Sequence, residues 1–138
     1  MPTPITDHTV PWPDAVAADY VAKGYWTGAT LDTSLRAVAD RRPDAAALVD
    51  ASGLRLTHRQ LADRADAAAA RLLDLGMSKG DRIVVQLGNG WEFVVLTLAC
   101  LRVGIVPVMA LPAHRQTELA HLARHAEATA IAVPDRLR

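Results

Sequence analysis

Apolar and polar positions alternate with two different periods along the second half of the chain. Short apolar runs have the length of buried strands, and between them lie stretches whose apolar positions recur at helical spacing. Strands are predicted at 82–87, 105–110 and 130–133, and helices at 91–103 and 115–126. Apolar strands that alternate with helices predict an α/β fold with a parallel βαβαβ sheet, covered by helices and joined by right-handed crossovers.

The first half of the chain predicts a helix and a β-hairpin ahead of this sheet. Apolar positions within 31–39 recur at helical spacing, and Pro43 ends that helix. Two short apolar runs flank the turn-forming residues 50–53, which is typical of two antiparallel strands. These strands are predicted at 46–49 and 54–56.

The clearest single element begins at Thr57. Thr57 and Gln60 have the spacing of a capping box, in which the hydroxyl accepts from a helical N–H and the amide reaches back. One face of the helix is then apolar, with Leu61, Ala65, Ala68, Ala69 and Leu72. Gly76 is well placed to leave the helix with a positive φ.

The first 29 residues have a different composition from the rest. They contain Trp12 and several prolines, at Pro2, Pro4, Pro11 and Pro13. Because proline fixes φ and lacks a backbone donor, we predict an extended arm over 1–29 rather than a helix. The α/β portion then covers 30–138.

Charge and cysteine content limit the kinds of partner. The chain has 15 basic and 15 acidic residues, so charge gives no argument for binding nucleic acid or an anionic membrane. Apolar runs are far shorter than the roughly 18 residues that span a bilayer. Cys100 is the single cysteine, and the N-terminus lacks the pattern of a secretory signal. We therefore expect a soluble, cytoplasmic protein.

Local patterns that could carry chemistry are each incomplete. Gly88–Gly90 follows a strand and opens a helix, but the third glycine of a dinucleotide fingerprint is replaced by Phe93. Neither lysine, Lys23 or Lys79, stands in a phosphate-binding Gly-Lys-Ser/Thr pattern. Serine nucleophiles lack their G-x-S-x-G context. We interpret Gly88–Gly90 as a structural turn.

Histidine and aromatic residues are also better explained by structure than by ligands. His121 and His125 have metal-ligand spacing on a helix, yet Leu122 replaces the glutamate of a zinc protease. We interpret them as a solvated pair. Trp91 lies among apolar neighbours, which favours packing over ligand stacking; Tyr25 and Trp26 are open to both interpretations.

Several segments together resemble the adenylate-forming superfamily of acyl- and aryl-CoA ligases, luciferases and peptide-synthetase adenylation domains. Leu56–Leu61 is similar to its L-T/S-Y-x-E-L motif, with His58 and Gln60 as departures. Leu101–Val108 resembles the motif that follows it, L-x-A-G-x-x-x-V-P. Between them, Gly80–Ile83 matches G-D-R-V.

One branch of that superfamily is most similar, the 2,3-dihydroxybenzoate-AMP and salicylate-AMP ligases. The resemblance to this branch is carried by Gly24–Trp26, Gly28 and Met109–Arg115. It implies that the chain is the N-terminal portion of the large domain of such an enzyme. It also implies an activity for the whole enzyme, which activates the aryl acid with ATP and Mg²⁺ and loads it on the phosphopantetheine thiol of a carrier protein in siderophore or related biosynthesis.

The resemblance also implies where the working groups lie. The family's phosphate loop, aryl-acid pocket, ribose-binding aspartate and mobile lysine have no counterpart in this chain. We therefore expect no catalytic, cofactor-binding or metal-binding residue here, no ATP or Mg²⁺ bound by this chain alone, and no activity from it alone. Two alternatives stay open: an acyl-CoA ligase or peptide-synthetase adenylation domain for another acid, and a non-catalytic α/β interaction module.

Overall fold

The computed structural model describes residues 9–135, which form five helices and five strands. The helices are α1 (Asp14–Ala22), α2 (Leu31–Arg41), α3 (His58–Asp74), α4 (Trp91–Val103) and α5 (Gln116–His125). The strands are β1 (Ala46–Val49), β2 (Arg55–Thr57), β3 (Arg82–Val85), β4 (Val106–Met109) and β5 (Ala130–Ala132). Within the described residues, no helix is both long and apolar enough to cross a bilayer.

The parallel sheet has the predicted βαβαβ connectivity. Its strand order is β4-β3-β5, and both pairings are parallel. Pro107 lies in β4, which borders only β3 among the described strands, as expected because proline cannot donate to a second neighbour. The predicted α/β fold class is confirmed.

The predicted hairpin is also present, as a separate two-stranded antiparallel sheet of β1 and β2. The carboxylate of Asp50 stabilises its turn by accepting the backbone N–H groups of Ser52 at 2.9 Å and Leu54 at 3.1 Å. Turns of this kind suit aspartate because its short side chain can bond to the backbone two residues on.

The hydrophobic core lies between the parallel sheet and helices α3 and α4. Val84 and Val85 of β3 are fully buried, as are Ala99 and Cys100 of α4. The main cluster consists of Val85, Ala99 and Cys100 together with Ala69, Leu72, Met77, Ile83 and Ile105. Val84 lies between Ile83 and Val85 on β3 and therefore points to the opposite face of the sheet. A central strand buried along its whole length explains the uninterrupted apolar run in the sequence.

Both ends of α3 follow the predicted pattern. Thr57 Oγ1 accepts from the Gln60 backbone N–H at 3.2 Å, and Gln60 Oε1 accepts from the Thr57 N–H at 3.0 Å. Gly76, just beyond the helix, has a φ of 87°. The capping box and the glycine exit are therefore confirmed.

The prediction of an extended arm is wrong for residues 14–22, which form α1. Pro13 precedes the helix with a φ of −55°, and its carbonyl accepts the N–H groups of Val16 and Ala17. Proline at a helix start loses no hydrogen bond, so it favours this position instead of preventing the helix. Pro2 and Pro4 lie outside the described residues, and the division of the chain at residue 29 stays a prediction.

Candidate functional site at the carboxyl edge of the sheet

The strand order places a crevice at one edge of the parallel sheet. From the central strand β3 the chain passes through α4 to β4 on one side, and then through α5 to β5 on the other. In open α/β sheets, ligands bind outside the carboxyl ends of the strands where the order reverses. Here that point lies between the ends of β3 and β5.

Depressions open at this edge, and two of them adjoin each other. The larger, about 730 Å³, lies between α5 and the end of β5, and the other, about 510 Å³, borders the glycine turn after β3. They share Val133, Pro134 and Asp135. The larger depression has an apolar wall of Leu119, Ala120, Ile131 and Val133, and a polar side formed by Gln86, His114, Arg115 and Gln116.

Gln86 is a buried polar residue at the centre of this edge. Its backbone N–H donates to the carbonyl of Ala132, the last residue of β5, at 2.9 Å. Its side-chain Nε2 donates to carbonyls of the loop after β4: His114 O at 2.7 Å, Leu111 O at 3.1 Å and Pro112 O at 3.3 Å. The residue thus connects β3, β5 and that loop.

His114 and Glu118 complete the hydrogen bonds of this region. His114 Nδ1 accepts the Leu111 N–H at 3.3 Å, so the neutral ring carries its proton on Nε2. Glu118 Oε2 accepts the Arg115 N–H at 2.9 Å. The pKa of Glu118 lies below its usual value because its own backbone N–H, and then that of Arg115, donate to the carboxylate. The carboxylate of Glu118 therefore already compensates the partial positive charge at the start of α5.

The glycine turn after β3 has a similar arrangement. The carboxylate of Asp50 in the hairpin turn lies near the backbone N–H of Trp91, at the start of α4. The pKa of Asp50 is lowered by hydrogen bonds from Ser52 first, and also from Leu54 and Trp91. A phosphate group at this helix start would meet a carboxylate, which supports the interpretation of Gly88–Gly90 as a structural turn.

Histidine, cysteine and acidic side chains are the groups among the described residues that could hold a metal ion. Nowhere within 9–135 do three His, Cys, Asp or Glu side chains come together as a metal site. His121 and His125 stack with ring centroids 5.7 Å apart. At the carboxyl edge, Arg115 is accompanied by the acidic residues Glu92 and Asp135. The expectation that this chain supplies no catalytic, cofactor or metal residue stays a prediction.

Comparison with known proteins decides the family. The model of the AMP-binding enzyme family matches residues 35–138, most of the chain. The chain belongs to the AMP-binding enzymes. Their motifs take structural positions here: Leu56–Leu61 forms the end of β2 and the capped start of α3, and Leu101–Val108 forms the turn from α4 into β4.

Individual relatives show which AMP-binding enzymes the chain is similar to. The chain is 59% identical over 128 residues to a Streptomyces protein named salicylyl-CoA synthase / salicylate adenylyltransferase, covering 93% of this chain and 23% of that protein. It is 48% identical over 130 residues to the salicyl-AMP ligase / salicyl-S-ArCP synthetase of Mycobacterium tuberculosis, covering 91% and 23%. The chain therefore spans about a quarter of the length of these relatives.

A solved structure gives the same result for the fold. The apo structure of MbtA from Mycobacterium smegmatis matches with a TM-score of 0.86 and 44% identity, over 94% of this chain and 24% of that one. The resemblance to salicylate- and 2,3-dihydroxybenzoate-AMP ligases drawn from the sequence motifs is thereby confirmed.

Two features of this family member were not predicted from its sequence. Gln86 could have been noticed, because it is the one uncharged polar residue in the apolar run 82–87. The packing of Trp91 among apolar neighbours stays a prediction; its half-buried ring lies under the guanidinium of Arg64, with 4.7 Å between Cζ and the ring centroid. The N-terminal aromatic cluster was not predicted. Its contacting rings have centroids 5.4–6.0 Å apart and come from Trp12, Tyr20, Tyr25 and Trp26.

Proposed function

We propose that this chain is part of an enzyme that activates salicylate or 2,3-dihydroxybenzoate as the aryl adenylate and passes the aryl group to a thiol. The observation that carries the proposal is the 59% identity, over 93% of the chain, to a protein named as a salicylate adenylyltransferase. The fold match to MbtA and the family motifs support it.

The proposed reaction has two steps, in which the aryl acyl group is joined first to AMP and then to a thiol. The aryl carboxylate attacks the α-phosphorus of ATP, and pyrophosphate leaves with the β- and γ-phosphates. A thiolate then attacks the acyl carbon of the aryl adenylate, and AMP leaves. Positioning and charge neutralisation dominate such phosphoryl chemistry, and bound Mg²⁺ would supply part of the neutralisation.

The role proposed for this chain is to build one wall of the large domain. Its parallel sheet presents the carboxyl edge with Gln86, His114 and Arg115, whereas the groups that hold the triphosphate and Mg²⁺ would come from other parts of the enzyme. We place the enzyme in the cytoplasm, where ATP is available.

The thiol acceptor has two candidates. We propose the phosphopantetheine thiol of a carrier protein, which agrees with the name salicyl-S-ArCP synthetase of one relative. Coenzyme A is the second candidate because another relative is named a salicylyl-CoA synthase. The two candidates are distinguished by supplying the purified enzyme with salicylate, ATP and one or the other thiol. The expected product is the aryl thioester of the carrier protein.

The adenylation step is tested by ATP–pyrophosphate exchange with the full-length protein that contains this chain. We expect exchange that depends on salicylate or 2,3-dihydroxybenzoate, and at least tenfold lower kcat/KM with benzoate or 3-hydroxybenzoate, which lack the 2-hydroxyl group. The 138-residue chain alone should give no exchange.

Three outcomes would contradict the proposal in different ways. No exchange with any aryl acid by a folded full-length protein would remove the adenylating function. A preference for aliphatic or amino acids would support another acyl-CoA ligase or a peptide-synthetase domain instead. Exchange by the chain alone would overturn its assignment as one wall of the domain, and a monomeric, cooperatively folded chain that binds partners would favour the interaction module.

A further inference from the structure

The side chain of Gln86 holds a loop of the chain through that loop's carbonyl oxygens. The loop runs from Ala110 to Arg115 and contains Leu111, Pro112 and His114, whose carbonyls lie 2.7–3.3 Å from Gln86 Nε2. Gln86 itself is only 7% exposed. Three carbonyl groups around one buried donor require a side chain that donates, and among uncharged residues of this length glutamine is the natural choice.

The geometry of the loop adds to this requirement. The loop closes on itself, because the His114 N–H donates to Leu111 O at 3.0 Å and the Leu111 N–H donates to His114 Nδ1 at 3.3 Å. Two contacts fix this closed loop to the central strand of the sheet: the Ala110 N–H donates to Val85 O at 2.9 Å where the loop begins, and the side chain of Gln86 holds the remainder. The backbone of Gln86 is fixed in turn by the bond to Ala132.

The loop has a defined place at the carboxyl edge. A third depression of about 220 Å³ lies on one side of it, lined by Gly88, Pro112, Ala113 and Pro134 among others. The larger depression against α5 also borders the loop, and His114 and Arg115 line both depressions. The position of the loop therefore sets the shape of both depressions, and Gln86 holds the part of the loop from Leu111 to His114 in place.

We propose that Gln86 is a positioning residue for adenylation, an inference that rests on the proposed function. It holds the 110–115 loop in the arrangement in which the carboxyl edge supports substrate binding. Gln86 contacts no substrate in this role; it acts through the loop that carries His114 and Arg115.

The test uses two substitutions of Gln86 in the full-length protein. Gln86→Met keeps the length of the side chain but removes the donor, and Gln86→Glu replaces the donor with an acceptor that faces three carbonyls. At pH 8 both variants should lose at least fivefold in kcat/KM for the aryl acid. Because a protonated carboxyl group can donate, Gln86→Glu should recover toward the wild-type value as the pH is lowered to 6, whereas Gln86→Met should not.

Hydrogen exchange provides a readout that does not depend on activity. We expect the amides of Leu111 and His114 to exchange about tenfold faster in Gln86→Met than in the wild-type protein. The matched control is Gln60→Met, since Gln60 also holds a backbone group, in the α3 capping box. That variant should lower Tm without a change in kcat/KM, in its pH profile or in exchange of the loop.

Each outcome decides the proposal. Wild-type kcat/KM in Gln86→Met, or a pH-independent loss in Gln86→Glu, would overturn the positioning role. If these Gln86 variants do not fold, Gln86→Asn keeps an amide but withdraws it by one methylene from the three carbonyls, and unchanged kinetics in that variant would refute the role. If the wild-type enzyme shows no exchange with aryl acids, the proposed function fails, while the hydrogen-exchange result still tests whether Gln86 holds the loop.

Discussion

At the scale of single residues, burial determines the chemistry of Cys100. The thiol lies on α4 inside the main core and is fully buried. Burial raises its pKa to about 11, because the charged thiolate is disfavoured away from water. The apolar run around this residue in the sequence indicated the buried position, since seven of the nine residues from Phe93 to Leu101 are aliphatic or aromatic. Cys100 is therefore a packing residue with an unreactive thiol.

We expect native Cys100 to react very slowly with Ellman's reagent. At pH 8, a thiol with a pKa of about 11 has roughly 200-fold less thiolate than an ordinary thiol of pKa about 8.5. Denaturant should restore the ordinary rate. The control is Ala51→Cys, which places a thiol in the exposed hairpin turn and should react at the ordinary rate in the native state. Equal native rates for both thiols would show that the region around α4 opens readily.

At the scale of elements, the turn from α4 into β4 depends on Gly104. Its φ is 72°, a left-handed conformation that favours glycine, and it ends α4 as its position in the sequence predicted. A Cβ atom at this position would lie 2.8 Å from Cγ of Lys79. The Gly104 carbonyl also accepts the Gly80 N–H at 2.9 Å. Backbone conformation and close packing therefore both select glycine.

Replacing Gly104 by alanine should lower the free energy of unfolding by about 1 to 3 kcal/mol, from the strained φ and the contact with Lys79. Urea denaturation of the protein measures the change. Gly88→Ala is the matched control, because a Cβ there meets no atom within 4 Å, and its effect should stay within about 0.5 kcal/mol. Equal effects at the two positions would contradict the assignment of Gly104 as a strained turn.

Elements with a strong local signal were predictable, and α1 was not. Helices α3 and α4 and strand β3 each have caps, glycine ends or unbroken apolar runs, which are local properties. In α1 the apolar residues lie on all sides, and the surrounding prolines favoured extended chain. What organises this region is contact among aromatic rings, such as Tyr20 with Trp26 at 5.4 Å, and such contacts are invisible to periodicity.

At the scale of the whole molecule, a set of ion pairs joins three helices. Arg102 of α4 is nearly buried, and its guanidinium contacts Asp32 of α2 at 2.9 Å and Asp66 of α3 at 2.5 Å. It also donates to the Ala62 carbonyl at 2.6 Å. Arg36 of α2 contacts the same two carboxylates. No pattern in the sequence predicted this arrangement, because Asp32 and Arg102 are 70 residues apart and only the fold brings them together.

The ion pairs predict a pH dependence of stability through Asp32. Burial alone would raise the pKa of this carboxyl group, but hydrogen bonds from Arg36 and Arg102 outweigh it, so the pKa in the folded state lies below the ordinary value of 3.8. Because the pKa is depressed by folding, the stabilisation is fully present above about pH 5 and is lost as the pH falls through the ordinary pKa towards the folded-state pKa. Asp32→Asn should therefore lower the free energy of unfolding by about 1 to 2 kcal/mol at pH 7, since Arg102 keeps Asp66 as a partner but loses one charge.

The difference between wild type and Asp32→Asn should shrink as the pH is lowered from 5 towards 3, because protonation of Asp32 removes the same charge from the wild-type protein. Urea denaturation at each pH measures it. Asp40→Asn makes the same change of charge on the exposed side of α2 and serves as the matched control. Its effect should stay within about 0.5 kcal/mol at every pH. A loss in Asp32→Asn that persists unchanged at pH 3 would mean that the side chain acts by shape or hydrogen bonding, and that charge does not hold the three helices together.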